Sequence, residues 1–209
     1  DSRWHGNGVI TLANSPHARM VLLESDLIDN LFKGIGELIG KPIEPIVIES
    51  RRRDTRWFIE SNFPYEVRNY LIYFPRADQV AGSPYMSAMQ ESLSRMRKDL
   101  NIRVANIGRI FGYGDLMLSD KWEKGGDFPW RTQVIRNPYS VPLWIADILG
   151  AIEAFEGMDM QAEYEEIGDK TYRVDVSPGE HPIELENKLK RRQHTFKPGS
   201  IEYKRCAEC

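Results

Sequence analysis

The chain is poor in cysteine: of 209 residues only Cys206 and Cys209 carry a thiol. That excludes the disulfide framework on which small secreted domains depend. No apolar run approaches the ~18–20 residues that span a bilayer, so no membrane span is expected. No basic segment followed by an apolar stretch opens the chain, and the expected location is cytoplasmic. Positive charge is not in excess either. Lys and Arg number 28 against 31 Asp and Glu, a net charge of −3. A nucleic-acid-binding domain is usually basic overall, so this domain is expected to bind none. The phosphate-binding pattern Gly-x4-Gly-Lys-Ser/Thr is missing, and Gly112-x-Gly114 lacks the third glycine of a dinucleotide fingerprint. There is no nucleophile elbow. No residue stands out as catalytic, and enzymatic activity is the less favoured expectation.

What is present is enough for a core. At ~150 residues per domain the length gives one to two domains. A chain of this size buries roughly 70% of its extended surface. Charge is unevenly spread. Between residues 137 and 169 there is no Lys or Arg, while Asp147, Glu153, Glu156, Asp159, Glu163, Glu165, Glu166 and Asp169 are present. From 186 to 205 the sign reverses, with Lys188, Lys190, Arg191, Arg192, Lys197, Lys204 and Arg205. The two stretches are either separate solvated faces or a basic tail lying across an acidic surface, in one chain or between two. Arg51, Arg52, Arg53 and Arg56 form a third cluster, either a wet helix face or an anion site.

Periodicity sorts the elements. Residues 26–39 read as a helix, with Leu27, Leu31, Ile35 and Leu38 on one face, Ser25 as cap and Gly40 as terminator. Gly34 and Gly36 weaken it and leave room for another backbone. Residues 43–60 favour helix despite Ile46-Val47-Ile48, and a shorter helix follows Pro64 at 65–74. Ser83-Pro84 starts another. Met86, Met89, Leu93, Met96 and Leu100 then recur at spacings of three and four. After Asn101 strands are expected, with a hairpin from Arg109 through Gly112-Tyr113-Gly114-Asp115 to Leu118. A strand at 131–136 and a helix at 141–155 follow. Trp144, Ile145, Ile148, Leu149, Ile152 and Phe155 share one face of that helix. Two alternating strands close the pattern around Gly168-Asp169. The fold class is therefore α+β: an antiparallel sheet meander covered by helices, with a mainly helical N-terminal half. Residues 1–180 make one ligand-binding domain, and residues 181–209 a C-terminal arm.

The arm ends in Cys206-Ala207-Glu208-Cys209. Two thiolates at this spacing suit tetrahedral zinc, and His194 and His181 upstream are the companion ligands. A redox pair or idle thiols are the alternatives.

Residues 134–138 (Val-Ile-Arg-Asn-Pro), the helix reaching Gly150 and Phe155-Glu156-Gly157, the run 162–169 and Tyr172-Arg173-Val174 together resemble the 4-vinyl reductase domain family. That family is similar to the sensing domains of phenol-responsive regulators, to a bacteriochlorophyll-synthesis accessory protein and to transport-particle subunits that hold an acyl chain. The resemblance implies an α+β sandwich enclosing an apolar pocket, commonly in a homodimer. Where the family often places metal-binding cysteines beside the Gly-Asp turn, this chain has Glu166 and Tyr172. That leaves Cys206 and Cys209 as a substitute.

The functional expectation is a sensor or carrier domain for a small apolar ligand, with a structural zinc. The alternative is a metal- or thiol-dependent enzyme or accessory protein on a hydrophobic or tetrapyrrole-like substrate. The expected pocket walls are Met86, Met89, Leu93 and Met96 on one side and Trp144, Ile148 and Phe155 on the other. Tyr113, Trp57 or Tyr172 would supply the polar contact.

Overall fold

A computed structural model describes residues 2–24, 26–73, 84–124 and 128–181. It is an α+β protein with two antiparallel sheets. The first sheet is N-terminal and small: β1 (Ser2–Trp4), β2 (Ile10–Leu12) and β3 (Ser15–Met20), in that spatial order.

Helix α1 (Leu27–Ile39) ends where expected, at Gly40 in the left-handed conformation with φ 67°. Its apolar stripe packs on little: no residue of α1 is buried, and Leu38 is 88% exposed. Ser25, its expected cap, lies outside the described residues. Helix α2 (Glu44–Asn62) absorbs the strand-like Ile46-Val47-Ile48. It lies along α6 (Val141–Glu156), the most buried helix among the described residues, and α3 (Tyr65–Tyr73) packs on α6 as well. Gly157, at φ 70°, terminates α6.

One expectation is overturned at α4. This helix runs from Pro84 to Phe111, through the region where strands and a hairpin were expected. No breaker interrupts residues 101–107, and Leu93, Leu100, Val104 and Ala105 extend a single helical face. The turn residues close the helix instead of joining two strands. Gly112 takes φ 75° and donates to the Arg109 carbonyl at 3.3 Å, while the Tyr113 N–H reaches the Gly108 carbonyl at 2.8 Å. This paired 5→2 and 6→1 bonding is a Schellman terminator.

The strand after it, β4 (Asp115–Leu118), pairs with β5 (Thr132–Arg136) across the short helix α5 (Lys121–Lys124) and a 3₁₀ turn, Pro129–Arg131. After α6, β6 (Met160–Gly168) and β7 (Thr171–Pro178) form the expected hairpin. Lys170 carries the positive φ, 47°, of its turn. The hairpin folds back so that β7 sits beside β5, and the order is β4-β5-β7-β6.

The register gives the sheet two different faces, because directly opposed residues project to the same side. Leu116, Ile135 and Tyr172 stand in one row, and Gln133 and Val174 in the next. This face meets Trp144, Ile145, Leu149 and Ile152 of α6 to form the core. The opposite rows hold Asp115 beside Arg136, and Thr132 beside Asp175. There Arg136 Nη2 lies 2.6 Å from Asp115 Oδ2, and Lys121 Nζ and Arg173 Nε lie 3.1 and 2.7 Å from Asp175. Helices therefore cover one side of the sheet and ion pairs the other. Among the described residues no helix is long and apolar enough to cross a membrane.

Candidate functional site

Two places concentrate chemistry: a cavity under α4 and a buried ion network under α2.

The cavity lies where α3, α4 and α6 converge on the edge of the sheet and has a volume of about 160 Å³. Its walls are mainly apolar, with Leu71, Leu100, Val104, Leu116, Ile148 and Phe155 among them. Polar groups interrupt that lining at Arg97, Asn101, Trp122, Trp130 and Gln133. Gln133 is 95% buried, since β5 places it in phase with Ile135 on the core face. Its Nε2 donates to the Trp130 carbonyl at 2.7 Å. That bond fixes the amide orientation, because flipping it would set two oxygens against each other. Gln133 Oε1 is buried and has no hydrogen-bond partner among the described residues. Trp122 Nε1 is in the same condition. Its neighbour Trp130 is not: that indole N–H donates to Glu156 Oε1 at 3.0 Å, and Arg131 clamps the same carboxylate. Buried polar atoms are nearly always paired, and these two stand beside the cavity without being exposed to the space inside it.

Arg97 stands on the same wall. Its Nε donates to the Leu71 carbonyl, and its guanidinium stacks over Trp130 at 5.1 Å from the ring centroid. No carboxylate pairs with it among the described residues. Burial alone depresses its pKa from the usual arginine value, because nothing opposite in charge offsets the lost solvation.

The ion network explains the arginine run. Glu153 of α6 is fully buried. Its Oε2 accepts from Arg52 and lies 3.6 Å from Arg56, and its Oε1 accepts from the Met160 N–H at 3.1 Å. Arg52, itself buried, forks onto Glu49 with 2.8 and 2.7 Å bonds. Arg53 also donates to Glu49, Arg56 to Asp159 at 2.8 Å, and Arg51 to Asp147 at 2.7 Å. The cluster is thus neither a wet face nor an open anion site. Arg51, Arg52 and Arg56 face carboxylates about 100 residues later in the chain, part of the acidic stretch, while Arg53 pairs with Glu49 on its own helix. Burial works to raise the Glu49 pKa, but the hydrogen bond and charge of Arg52 outweigh it, and the net shift is downward. Asp159 is lowered chiefly by its bond from Arg56.

His181 closes this network. Its Nε2 lies 2.9 Å from Glu153 Oε1, off the line of a hydrogen bond, and 3.8 Å from Asp159. Ligand atoms of Glu153, Asp159 and His181 fall within 4.8 Å of one another. That donor set resembles a cation site, but Arg52 and Arg56 already neutralise both carboxylates. A divalent ion would have to displace two guanidiniums, so the group fits an internal salt-bridge cluster better than a metal centre. His194, Cys206 and Cys209, the other expected zinc ligands, lie outside the described residues.

Of the expected pocket residues, Ile148 and Phe155 line the cavity. Met86, Met89 and Leu93 do not; the helix presents its next turns there, at Arg97, Leu100, Asn101 and Val104. Leu93 is buried, and Met96 faces a shallow surface groove with Arg95 and Arg103. Trp144 belongs to the packed core, held between α6 and the sheet. Tyr113 sits half exposed with its ring 5.3 Å from that of Tyr139, and Trp57 is half exposed on α2. Tyr172 packs at the core margin. The polar residues that do line the cavity, Arg97, Asn101, Trp122 and Gln133, do not stand out in the sequence. One signal for them was there: Gln133 occupies an inward phase of a strand otherwise apolar on that side.

Comparison with protein-family models, with curated proteins and with solved structures finds no match for this chain.

Proposed function

We propose that the chain is a binding domain, a sensor or carrier, for a small apolar molecule about one ring in size. The observation that carries this reading is the cavity itself, about 160 Å³ walled mainly by apolar side chains with a few polar residues among them. Such a wall, hydrophobic with a few convergent polar groups, is the usual make-up of a ligand site. The volume decides the size class. A dry cavity of ~150 Å³ holds one benzene, whereas a tetrapyrrole is several times larger. No nucleophile or general base stands among the lining residues, which favours binding over catalysis.

A thermal-shift series of single-ring aromatics, fatty acids and porphyrins tests this. Single rings alone are expected to raise the melting temperature, by ~2.7 kcal/mol of added stability at a hundredfold excess over Kd. Ala151→Leu supplies the control, because Ala151 lines the cavity from α6. It is expected to stabilise the free protein slightly by filling space and to abolish the ligand-induced shift. An unchanged ligand response in Ala151→Leu would move the site elsewhere.

The reading includes a homodimer. Helix α1 turns Leu27, Leu31, Leu38 and Ile39 outward, and Gly34 has open space beside it. Sedimentation at micromolar protein is expected to give about twice the 24.2 kDa of one chain. A monomer would remove the dimer and leave the cavity reading intact. We further propose zinc at Cys206 and Cys209 with His194, on their spacing. Elemental analysis should find zinc in the purified protein and lose it in Cys206→Ser.

A further inference from the structure

We propose that the outer edge of β6 is a docking site for a basic, extended segment, and that its occupant is residues 188–192 of the chain's own C-terminal arm. Those residues lie outside the described ones. The inference stands apart from the cavity.

β6 closes the strand order β4-β5-β7-β6, and among the described residues no strand pairs with its far side. It is nine residues long, and every position from Glu163 onward is exposed. A long strand with one row of unbonded N–H and C=O groups is a template for a further strand. Nothing before the irregularity at Glu166–Gly168 blunts this edge, since the strand holds no proline and no lysine.

Charge selects the partner. Gln161, Glu163 and Glu165 share the ion-pair face of the sheet, opposite Ser177, Asp175 and Arg173 of β7. Arg173 Nε turns to Asp175 at 2.7 Å, and Lys121 pairs with Asp175 as well. Glu163 therefore stands directly opposite a carboxylate, an unfavourable pair that a cation on its other side would offset. The β6 of a second copy would bring more glutamates to the row. A strand with cations at every second position would complete it. The arm has that pattern in Lys188, Lys190 and Arg192. With those three beside the glutamate row, Leu189 and Arg191 fall on the other face of the sheet. Tyr164, 45% exposed, and Glu166 stand there to meet them.

The fold delivers the arm to this edge. The Gly179 N–H donates to the Asp159 carbonyl at 3.3 Å, and His181 Nε2 lies 2.9 Å from Glu153 Oε1. The chain is thus held beside the first residue of β6. Residues 182–187 can span ~20 Å from there, several times the ~4.8 Å between neighbouring strands. An arm that starts at the beginning of β6 runs along it in the same direction, as a parallel strand.

Hydrogen exchange on the intact chain, read by mass spectrometry, tests this. Amides of residues 188–192 are expected to exchange ~10-fold or more slowly than unstructured chain, independently of protein concentration. Glu163→Lys with Glu165→Lys should release them, and adding Lys190→Glu with Arg192→Glu should restore the protection. Carbodiimide, which joins a carboxylate to an amine in contact with it, should link Lys188 or Lys190 to Glu163 or Glu165. That coupling uses the unaltered chain and decides the matter even where a variant does not fold. Exchange of residues 188–192 at the unstructured rate, or protection that survives the charge reversal, would overturn the proposal. Protection lost on dilution would assign the edge to a partner's arm and overturn the assignment to the chain's own. None of these outcomes bears on ligand binding in the cavity.

Discussion

Arg52→Met is expected to destabilise the fold by about 3–5 kcal/mol, a large fraction of the stability of a domain this size. The substitution keeps the side-chain bulk and removes the charge between Glu49 and Glu153. Both carboxylates are at least nine-tenths buried, and among the described residues Arg52 is hydrogen-bonded to both of them. The attraction within such a cluster roughly balances the cost of drying it, so the intact network adds little net stability. Breaking it exposes the desolvation cost in full. Acid behaviour distinguishes this mechanism from simple loss of packing. In the native protein Glu49 and Asp159 titrate below the ordinary carboxylate range. Groups lowered on folding contribute stability above their unfolded pKa, near 4, and that contribution is lost as pH falls through the lower folded values. The unaltered protein should therefore weaken in acid below about pH 4. In Arg52→Met Glu49 loses the partner that lowers its pKa while burial still favours its neutral form, so its pKa rises above the unfolded value. Stability should then fall as pH rises from about 4 toward 7, the opposite slope. Urea midpoints at several pH values read both slopes. A variant with the same pH slope as the parent would show that Arg52 contributes bulk and little charge.

The sequence disclosed its local rules and hid its distant ones. Helix α6 and the β6–β7 hairpin were legible because their periods are strong and glycine marks their ends, at Gly157 and Gly168. The end of α4 was misread because Gly112-Tyr113-Gly114 is equally good chemistry for a hairpin and for a helix terminator. Only the pairing partner of β4, 14 residues beyond it in β5, separates the two. The arginines of α2 could not be assigned for the same reason. Glu49 is close in sequence, but Asp147, Glu153 and Asp159 are not, and nothing local announces them. The site was half visible. Ile148 and Phe155 follow from the helical stripe of α6. Of the methionines of α4, Met86 and Met89 stand two to three turns before the cavity wall, and Met96 turns toward the groove with Arg95 and Arg103. Trp122 and Gln133 come from opposite sides of a loop and meet only in the folded chain. A single polar residue on an inward strand phase is a weak mark in sequence.

Gly150→Ala is expected to destabilise by about 1–3 kcal/mol or more, although helix propensity alone argues for a gain of ~1 kcal/mol. Gly150 lies in the middle of α6 where α2 crosses it. A Cβ built there would stand 2.3 Å from the Arg52 carbonyl oxygen and 3.0 Å from the Thr55 Cβ. The nearer atom is backbone and cannot rotate aside, so the helices must separate. Separation pulls on the contacts that tie them, Arg52 to Glu153 and Arg51 to Asp147. It also displaces Ile148 and Ala151, the neighbours of Gly150 that line the cavity. The variant should therefore lose affinity for single-ring ligands as well as stability, which ties the α2–α6 crossing to the site. Gly34→Ala is the matched control: this glycine is also helical, with nothing within 4 Å of the added carbon. There propensity acts unopposed, and a gain of ~0.5–1 kcal/mol is expected. Urea midpoints of the two variants, with slopes unchanged from the parent, measure the difference. Equal gains in both would mean that the helices cross with room to spare and that the close approach of Gly150 to α2 is no constraint on the fold.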